Sequence, residues 1–241
     1  MEIQVFNDYV ELSETAAEIV ATEIRNNPEA VLGLATGSTP EGMYARLVEM
    51  NRKKEISFKD VITFNLDEYW GLLPEHEQSY HHFMYQHLFG HIDINPDNIN
   101  IPVCTDVQVD RLCSEYDQKI AMCGGIDLQI LGIGINGHIG FNEPSKNLTV
   151  FTHLVDLAEE TIESNSRFFH NCEEVPRKAI TMGMGSIMFS RKILLLASGR
   201  SKAEAVRNTV SGKISTEWPA SLLQLHHEAT LLIDRDAAGL I

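Results

Sequence analysis

Short apolar runs at 31–35, 61–65, 126–132, 193–197 and 230–233 punctuate the chain, each of strand length and rich in Val, Ile and Leu. Between them the apolar positions change period. Leu12, Ala16, Ile19, Val20 and Ile24 fall on one side of a helix, as do Tyr44, Leu47 and Val48, and again Leu112, Tyr116 and Ile120. Strands that are apolar throughout must be covered on both faces, and helices between successive strands are the connections a parallel sheet requires. The pattern predicts an α/β fold: a Rossmann-like three-layer α/β/α arrangement with a mostly parallel central sheet. No Pro/Gly/Ser-rich tract or charge block interrupts it, so residues 1–241 read as a single domain. In such sheets ligands bind outside the carboxyl ends of the strands, so the segments that follow each run are where chemistry is expected.

Composition narrows the partners. With 34 acidic against 19 basic side chains the net charge is -15, which repels polyanions and disfavours nucleic acid. A small anion is still admissible, because it needs only one or two local cations and some backbone N–H groups. The first twenty residues lack a basic segment followed by an apolar one, and no window approaches twenty uncharged apolar residues, so a cytoplasmic location without membrane contact is expected. Cys104, Cys113, Cys123 and Cys172 form no C-x-x-C pair and are expected to be reduced core thiols.

Three strand-end segments stand out. In LATGSTPEGMY (34–44) a strand breaks into a Gly/Ser/Thr turn; Thr39 suits an N-cap and Pro40 a first helical position, which describes either an anion site or a well-capped turn. No Lys follows in G-x-x-x-x-G-K spacing, which disfavours a nucleotide triphosphate. In FNLDEYWGL (64–72) two carboxylates, Asp67 and Glu68, follow a buried strand; they are either solvated surface or, if desolvated, candidates for a general base. In GIGINGHIGFNEP (132–144) the first six residues spell the G-x-G-x-x-G of dinucleotide sites, and Asp156 lies near the distance at which an acidic residue would meet a ribose. Yet Gly137 leads into His138, Gly140, Asn142 and Pro144, a run too rich in helix breakers to open a dinucleotide-binding helix. Those glycines instead suit a tight loop that presents Asn136, His138 and Glu143 to a ligand.

Taken in order and spacing, LATGSTP, FNLDEYWGL, GIGINGHIGFNEP, ESNSRFF and SGRSKAEAV resemble the glucosamine-6-phosphate deaminases, from about residue 31 to the QLH at 224–226. The related 6-phosphogluconolactonases share the fold and a similar glycine-rich loop but lack the FNEP ending. The resemblance implies an enzyme that isomerises and deaminates a small phosphorylated amino sugar to fructose 6-phosphate and ammonia, without a cofactor. It implies that Asp67 is the base moving a proton from carbon 2 to carbon 1. His138 would assist ring opening, held and polarised by Glu143 and by the residue at 136. The phosphate would rest on Gly37, Ser38 and Thr39, with Arg167 and Lys202 as cations; taken singly, those two would read as solvated surface charges. The family loop carries Asp where this chain has Asn136, so an amide replaces one carboxylate beside the ring.

No metal is expected. Zinc nucleobase deaminases require H-x-E with P-C-x-x-C, and neither is present. In HEQSYHHFMYQHLFGH (76–91), His87 and His91 could share a helix face, but an amphipathic helix with Phe83, Met84, Leu88 and Phe89 inward is the expected reading. A lactonase using His138 to activate water and a silent sugar-phosphate sensor are the alternatives on the same fold. The chain resembles the short family form, which suggests a monomer.

Overall fold

The computed structural model describes residues 1–102, 108–166, 169 and 174–241. Its strands are β1 (Glu2–Phe6), β2 (Val31–Leu34), β3 (Ile62–Asn65), β4 (Asp67–Tyr69), β5 (Ile99–Asn100), β6 (Leu128–Gly132), β7 (His153–Asp156), β8 (Lys178–Thr181), β9 (Lys192–Ala197) and β10 (Ala229–Asp234). Its α-helices are α1 (Tyr9–Asn26), α2 (Glu41–Arg52), α3 (Tyr80–His87), α4 (Val109–Met122), α5 (Glu159–Asn165), α6 (Met184–Met188) and α7 (Ala203–Thr209).

Seven strands form one sheet in the order β1-β10-β9-β6-β2-β3-β5, and every pairing in it is parallel. The five apolar runs supply β2, β3, β6, β9 and β10, at the centre of the sheet where both faces are covered. One face packs Leu32, Leu34, Leu128, Ile130 and Leu194 against Leu12, Ala16 and Val20 of α1, Tyr44 and Leu47 of α2, and Met84 of α3. The other packs Phe64, Leu131, Ile193 and Leu195 against Tyr116 and Ile120 of α4, Ile187 of α6 and Val206 of α7. This is the three-layer arrangement the pattern predicts. Cys113 is buried and Cys123 only half-buried, so the core-thiol expectation holds for the first alone; both are free, and Cys104 and Cys172 lie outside the described residues. Among the described residues no helix is long and apolar enough to cross a membrane.

The connectivity fixes where a ligand can enter. From β2 the chain winds outward to β3 and β5, then returns to β6 on the other side of β2 and winds the opposite way to β9 and β10. The winding reverses between β2 and β6, so the segments leaving their carboxyl ends diverge and open a crevice. Those segments are the Gly37 turn and the glycine-rich loop.

A second, three-stranded antiparallel sheet in the order β4-β8-β7 was not foreseen from the sequence. Its strands are three or four residues long and include the polar DEY and HLVD, too short and too mixed to show a period. It sits on the carboxyl end of β3: Asp67 opens β4 and pairs with Thr181, while Met182 N–H donates to Leu66 O at 2.8 Å. Asp156, the residue at dinucleotide spacing, belongs to β7 of this small sheet and pairs with Lys178 at 3.4 Å. It is therefore not at the end of the strand next to β6 in the parallel sheet, where a ribose contact would have to be.

Candidate active site

A cleft of about 330 Å³ lies at the switch point, lined from one side by Gly37, Ser38 and Thr39, from the other by Asn136 and His138, with Asp67 and Lys202 between. Four segments far apart in sequence thus converge, and they are four of the five motifs named above. Arg167 lies outside the described residues.

The Gly37 turn is built differently from the sequence expectation. Helix α2 begins at Glu41, so Pro40 occupies the N-cap in a helical conformation (φ -81°, ψ -6°), and no side chain, Thr39 included, caps it. The reason is Tyr9. Its hydroxyl accepts Gly42 N–H at 2.8 Å and lies 3.0 Å from the carbonyls of Ser38 and Thr39, so α1 supplies the cap that Thr39 was expected to give. Gly37 turns the chain at φ +97°, in the left-handed region open to glycine. The N–H groups of Gly37, Ser38 and Thr39 donate to no described residue, leaving three donors at the cleft wall. Lys202 closes a 3-10 turn, Arg200–Lys202, after β9. That turn is anchored by Asp234 at the end of β10, which accepts Ser198 Oγ at 2.5 Å and Gly199 N–H at 3.0 Å.

The floor of the cleft holds Asp67, 6% exposed. No hydrogen bond to its carboxyl comes from a described residue, and burial, with the neighbouring Glu68 charge adding, pushes it up from 3.8 to about 8. Glu68 faces away from the cleft: it accepts the backbone N–H groups of Tyr69, Tyr80 and His81 at 2.8, 2.9 and 2.9 Å, the last two at the start of α3. The two adjacent carboxylates therefore have different employment, because alternate residues of β4 point to opposite faces.

The glycine-rich loop presents His138. A Cβ on Gly134 would sit 2.3 to 2.5 Å from three atoms of the imidazole, so the ring lies flat on a residue that can only be glycine. Gly137, at φ +82°, lies against Trp218, where a Cβ would come within 2.7 Å of Cε3. Close approach to His138 and Trp218, not to a pyrophosphate, is what two of the G-x-G-x-x-G glycines serve. His138 Nδ1 lies 3.2 Å from Glu143 Oε2. With Nδ1–H directed at that carboxylate, Nε2 is the ring nitrogen left to exchange a proton.

Asn136 makes no hydrogen bond to the ring itself; it engages the carboxylate behind the ring and the backbone of His138. Its Nδ2 donates to Glu143 Oε2 at 2.8 Å and its Oδ1 accepts His138 N–H at 3.3 Å. The cause is local: two residues ahead of His138 in a tight turn, an Asn side chain reaches the following backbone sooner than the ring. Glu143 Oε1 accepts the hydroxyl of Thr161 on α5. Burial by itself would raise Glu143, but hydrogen bonds from His138, Thr161 and Asn136 outweigh it and hold the carboxyl below 4.5.

Three residues at this site were not found in the sequence. Tyr80 lines the cleft beside Asp67 and stacks on Phe141 with centroids 6.1 Å apart. Thr181 accepts Phe141 N–H at 3.0 Å while pairing with Asp67 across the small sheet, so it joins the Asp67 strand to the His138 loop. Thr161 is the third. All three act through contacts remote in sequence, and no local pattern marks them. Of the four side chains expected inward in the histidine-rich segment, Met84, Leu88 and Phe89 are buried and Phe83 is half-buried; the helix ends at His87 and a 3-10 turn, Phe89–His91, follows, with His81 stacked on Tyr85 and His87 against Phe83.

Known proteins resemble this chain in sequence and fold. The family model for glucosamine-6-phosphate isomerases/6-phosphogluconolactonase matches residues 8–232. A glucosamine-6-phosphate deaminase of Thermoanaerobacter sp. (strain X514) is 55% identical over 241 residues, all of this chain and 95% of that protein. The glucosamine-6-phosphate deaminase of Halothermothrix orenii (strain H 168) is 55% identical over the whole of both chains. Among solved structures, a monomeric glucosamine-6-phosphate deaminase superposes with a TM-score of 0.97 at 47% identity, covering 100% of each chain. The 6-phosphogluconolactonase of Trypanosoma brucei, at 19% identity, a TM-score of 0.77 and coverage of 99% and 97%, shares the fold. The chain belongs to the glucosamine-6-phosphate isomerase/6-phosphogluconolactonase family, on its glucosamine-6-phosphate deaminase branch.

Proposed function

We propose that this protein converts glucosamine 6-phosphate and water to fructose 6-phosphate and ammonia. The observation that carries the reading is the pairing of two opposed acid-base groups across one cleft: Asp67, a buried carboxyl at about 8, and His138, backed by the ionised Glu143. A base poised near the working pH is what abstraction of a proton beside a carbonyl requires.

The phosphate rests on the N–H groups of Gly37, Ser38 and Thr39 with Lys202, and Arg167 is assigned to it from the family motif. Three backbone donors and a local cation suit a dianion even in a chain of net charge -15. His138 passes the anomeric hydroxyl proton to the ring oxygen, which opens the pyranose to its aldehyde. Asp67 then takes the proton from carbon 2, giving an enolamine, and returns it to carbon 1. The resulting ketimine adds water and releases ammonia. Asn136 contributes by holding Glu143. Residues 1–241 act as one catalytic domain. The superposing deaminase described as monomeric supports a monomer here, and an acidic chain working on a soluble sugar phosphate fits the cytoplasm.

An ammonia-release assay tests the reading. Glucosamine 6-phosphate should yield ammonia and fructose 6-phosphate in equal amounts, while glucose 6-phosphate yields no ammonia and 6-phosphogluconolactone is not hydrolysed above background. Hydrolysis of the lactone without ammonia release would move the protein to the lactonase alternative.

A further inference from the structure

The Glu143 carboxylate has two oxygens with separate partners. Oε2 faces His138 Nδ1 and Asn136 Nδ2, both in its own loop. Oε1 faces the hydroxyl of Thr161, eighteen residues on, in the first turn of α5. We propose that Thr161 is a positioning residue: its hydroxyl fixes the rotation of the Glu143 carboxylate and so the orientation of the His138 ring.

The hydroxyl is not what docks α5. That helix is seated by Leu157 and Ile162, which pack in an apolar cluster with Tyr69 and Phe141. Thr161 is 4% exposed, and its N–H is already engaged by Ala158 O at 3.0 Å. Among the described residues no other donor reaches Oε1. A carboxylate bonded through one oxygen can turn about its terminal torsion, a broad and nearly two-fold motion, and exchange its oxygens. Bonded through both it cannot, and the imidazole that shares Oε2 is held with it. α5 connects β7 to β8, and β8 pairs with β4, so the strand that opens with Asp67 and the carboxylate behind His138 are tied to the same small sheet. The hydroxyl therefore links the two halves of the acid-base machinery, which goes beyond a role in stability.

The inference rests on the deaminase reading, and its test separates the two. Wild type, Thr161→Val and Thr161→Ser are compared as full chains. Valine keeps the shape and removes the donor; serine keeps the donor. Losing a hydrogen bond to an ionised group should lower kcat for glucosamine 6-phosphate by roughly tenfold or more, with KM changed by less than about twofold, and Thr161→Ser should recover most of it. In the free proteins, the ¹⁵N signal of His138 Nδ1 should move in Thr161→Val and return in Thr161→Ser. An unchanged kcat and Nδ1 signal in Thr161→Val, or a serine variant as impaired as the valine one, overturns the proposal. If wild type itself releases no ammonia, it is the deaminase reading that fails, and the Nδ1 signals alone then decide the role of Thr161.

Discussion

Two carboxyl groups serve this cleft, one on its floor and one behind its histidine, and their surroundings drive them in opposite directions. Asp67, at the first position of a short strand, receives no hydrogen bond from a described residue and is raised to about 8. Glu143, in the glycine-rich loop, receives three side-chain donors and is lowered. Asp67 is buried and Glu143 only partly so, and the donors on Glu143 widen the difference. Glu68 supplies the intermediate case. It accepts neutral backbone N–H groups from Tyr69, Tyr80 and His81, and burial still leaves it raised. Among the donors to Glu143 is the imidazole, which can carry the complementary charge. A carboxyl kept without donors is suited to collect a proton, and one saturated with donors is suited to orient a histidine.

The largest effect that can break this contrast is at Asp67. Asp67→Asn should lower kcat by about 10²- to 10⁴-fold, the usual worth of a general base. In wild type, kcat/KM should rise with pH through a midpoint near 8 as the base ionises. The same group predicts a stability difference. Because its folded value, about 8, lies above the ordinary 3.8, wild-type stability should fall as pH rises from about 4 to about 8 and the buried carboxyl is forced to ionise. Asp67→Asn escapes that cost, so its advantage in stability, and with it in Tm, should widen across that interval and level off above it, the free-energy gap reaching on the order of a few kcal/mol. Thermal melts of the two proteins from pH 5 to 9 measure it; a gap that does not change with pH contradicts the raised carboxyl.

A smaller change should make Glu143 behave more like Asp67. Asn136→Asp replaces the donor on Glu143 Oε2 with a second carboxylate, and like charges at hydrogen-bond distance cannot both ionise freely. The variant should lose about 1–3 kcal/mol of stability at neutral pH, the cost of an unmet buried group. The deficit should shrink as pH falls, since one shared proton restores the bond. Chemical denaturation at pH 7.5 and 5 checks this, and a deficit larger at pH 5 would mean that Asn136 and Glu143 do not meet.

The central sheet was legible because its inner strands are apolar from end to end, and 31–35, 61–65, 126–132, 193–197 and 230–233 fall on five of its seven strands. The outer strands were not: β1 alternates and β5 is two residues long. The site was legible as a set of strand-end segments, since Gly37, Asp67, His138 and Lys202 all reach the cleft. Its wiring was not. Glu68 looks identical to Asp67 in sequence until the small sheet turns one inward and one toward α3. Asn136 next to His138 in the loop reads as a ring partner until the turn directs its amide to Glu143. Thr39 was expected to cap α2, but Tyr9, thirty residues away, does so. The Thr39 expectation was overruled by a side chain distant in sequence, the Asn136 one by the geometry of its own turn.

The claim that most needs testing is that Asp67 moves the carbon 2 proton. Glucosamine 6-phosphate incubated in D₂O with wild type, and separately with Asp67→Asn, can be followed by proton NMR. The wild-type sample should lose the carbon 2 signal as fructose 6-phosphate accumulates, with the abstracted hydrogen appearing at carbon 1 except where it exchanges with solvent deuterium on Asp67. The variant should retain the carbon 2 hydrogen while still binding the sugar phosphate. Loss of the carbon 2 signal at the wild-type rate in Asp67→Asn would contradict the assignment and place the base elsewhere in the cleft.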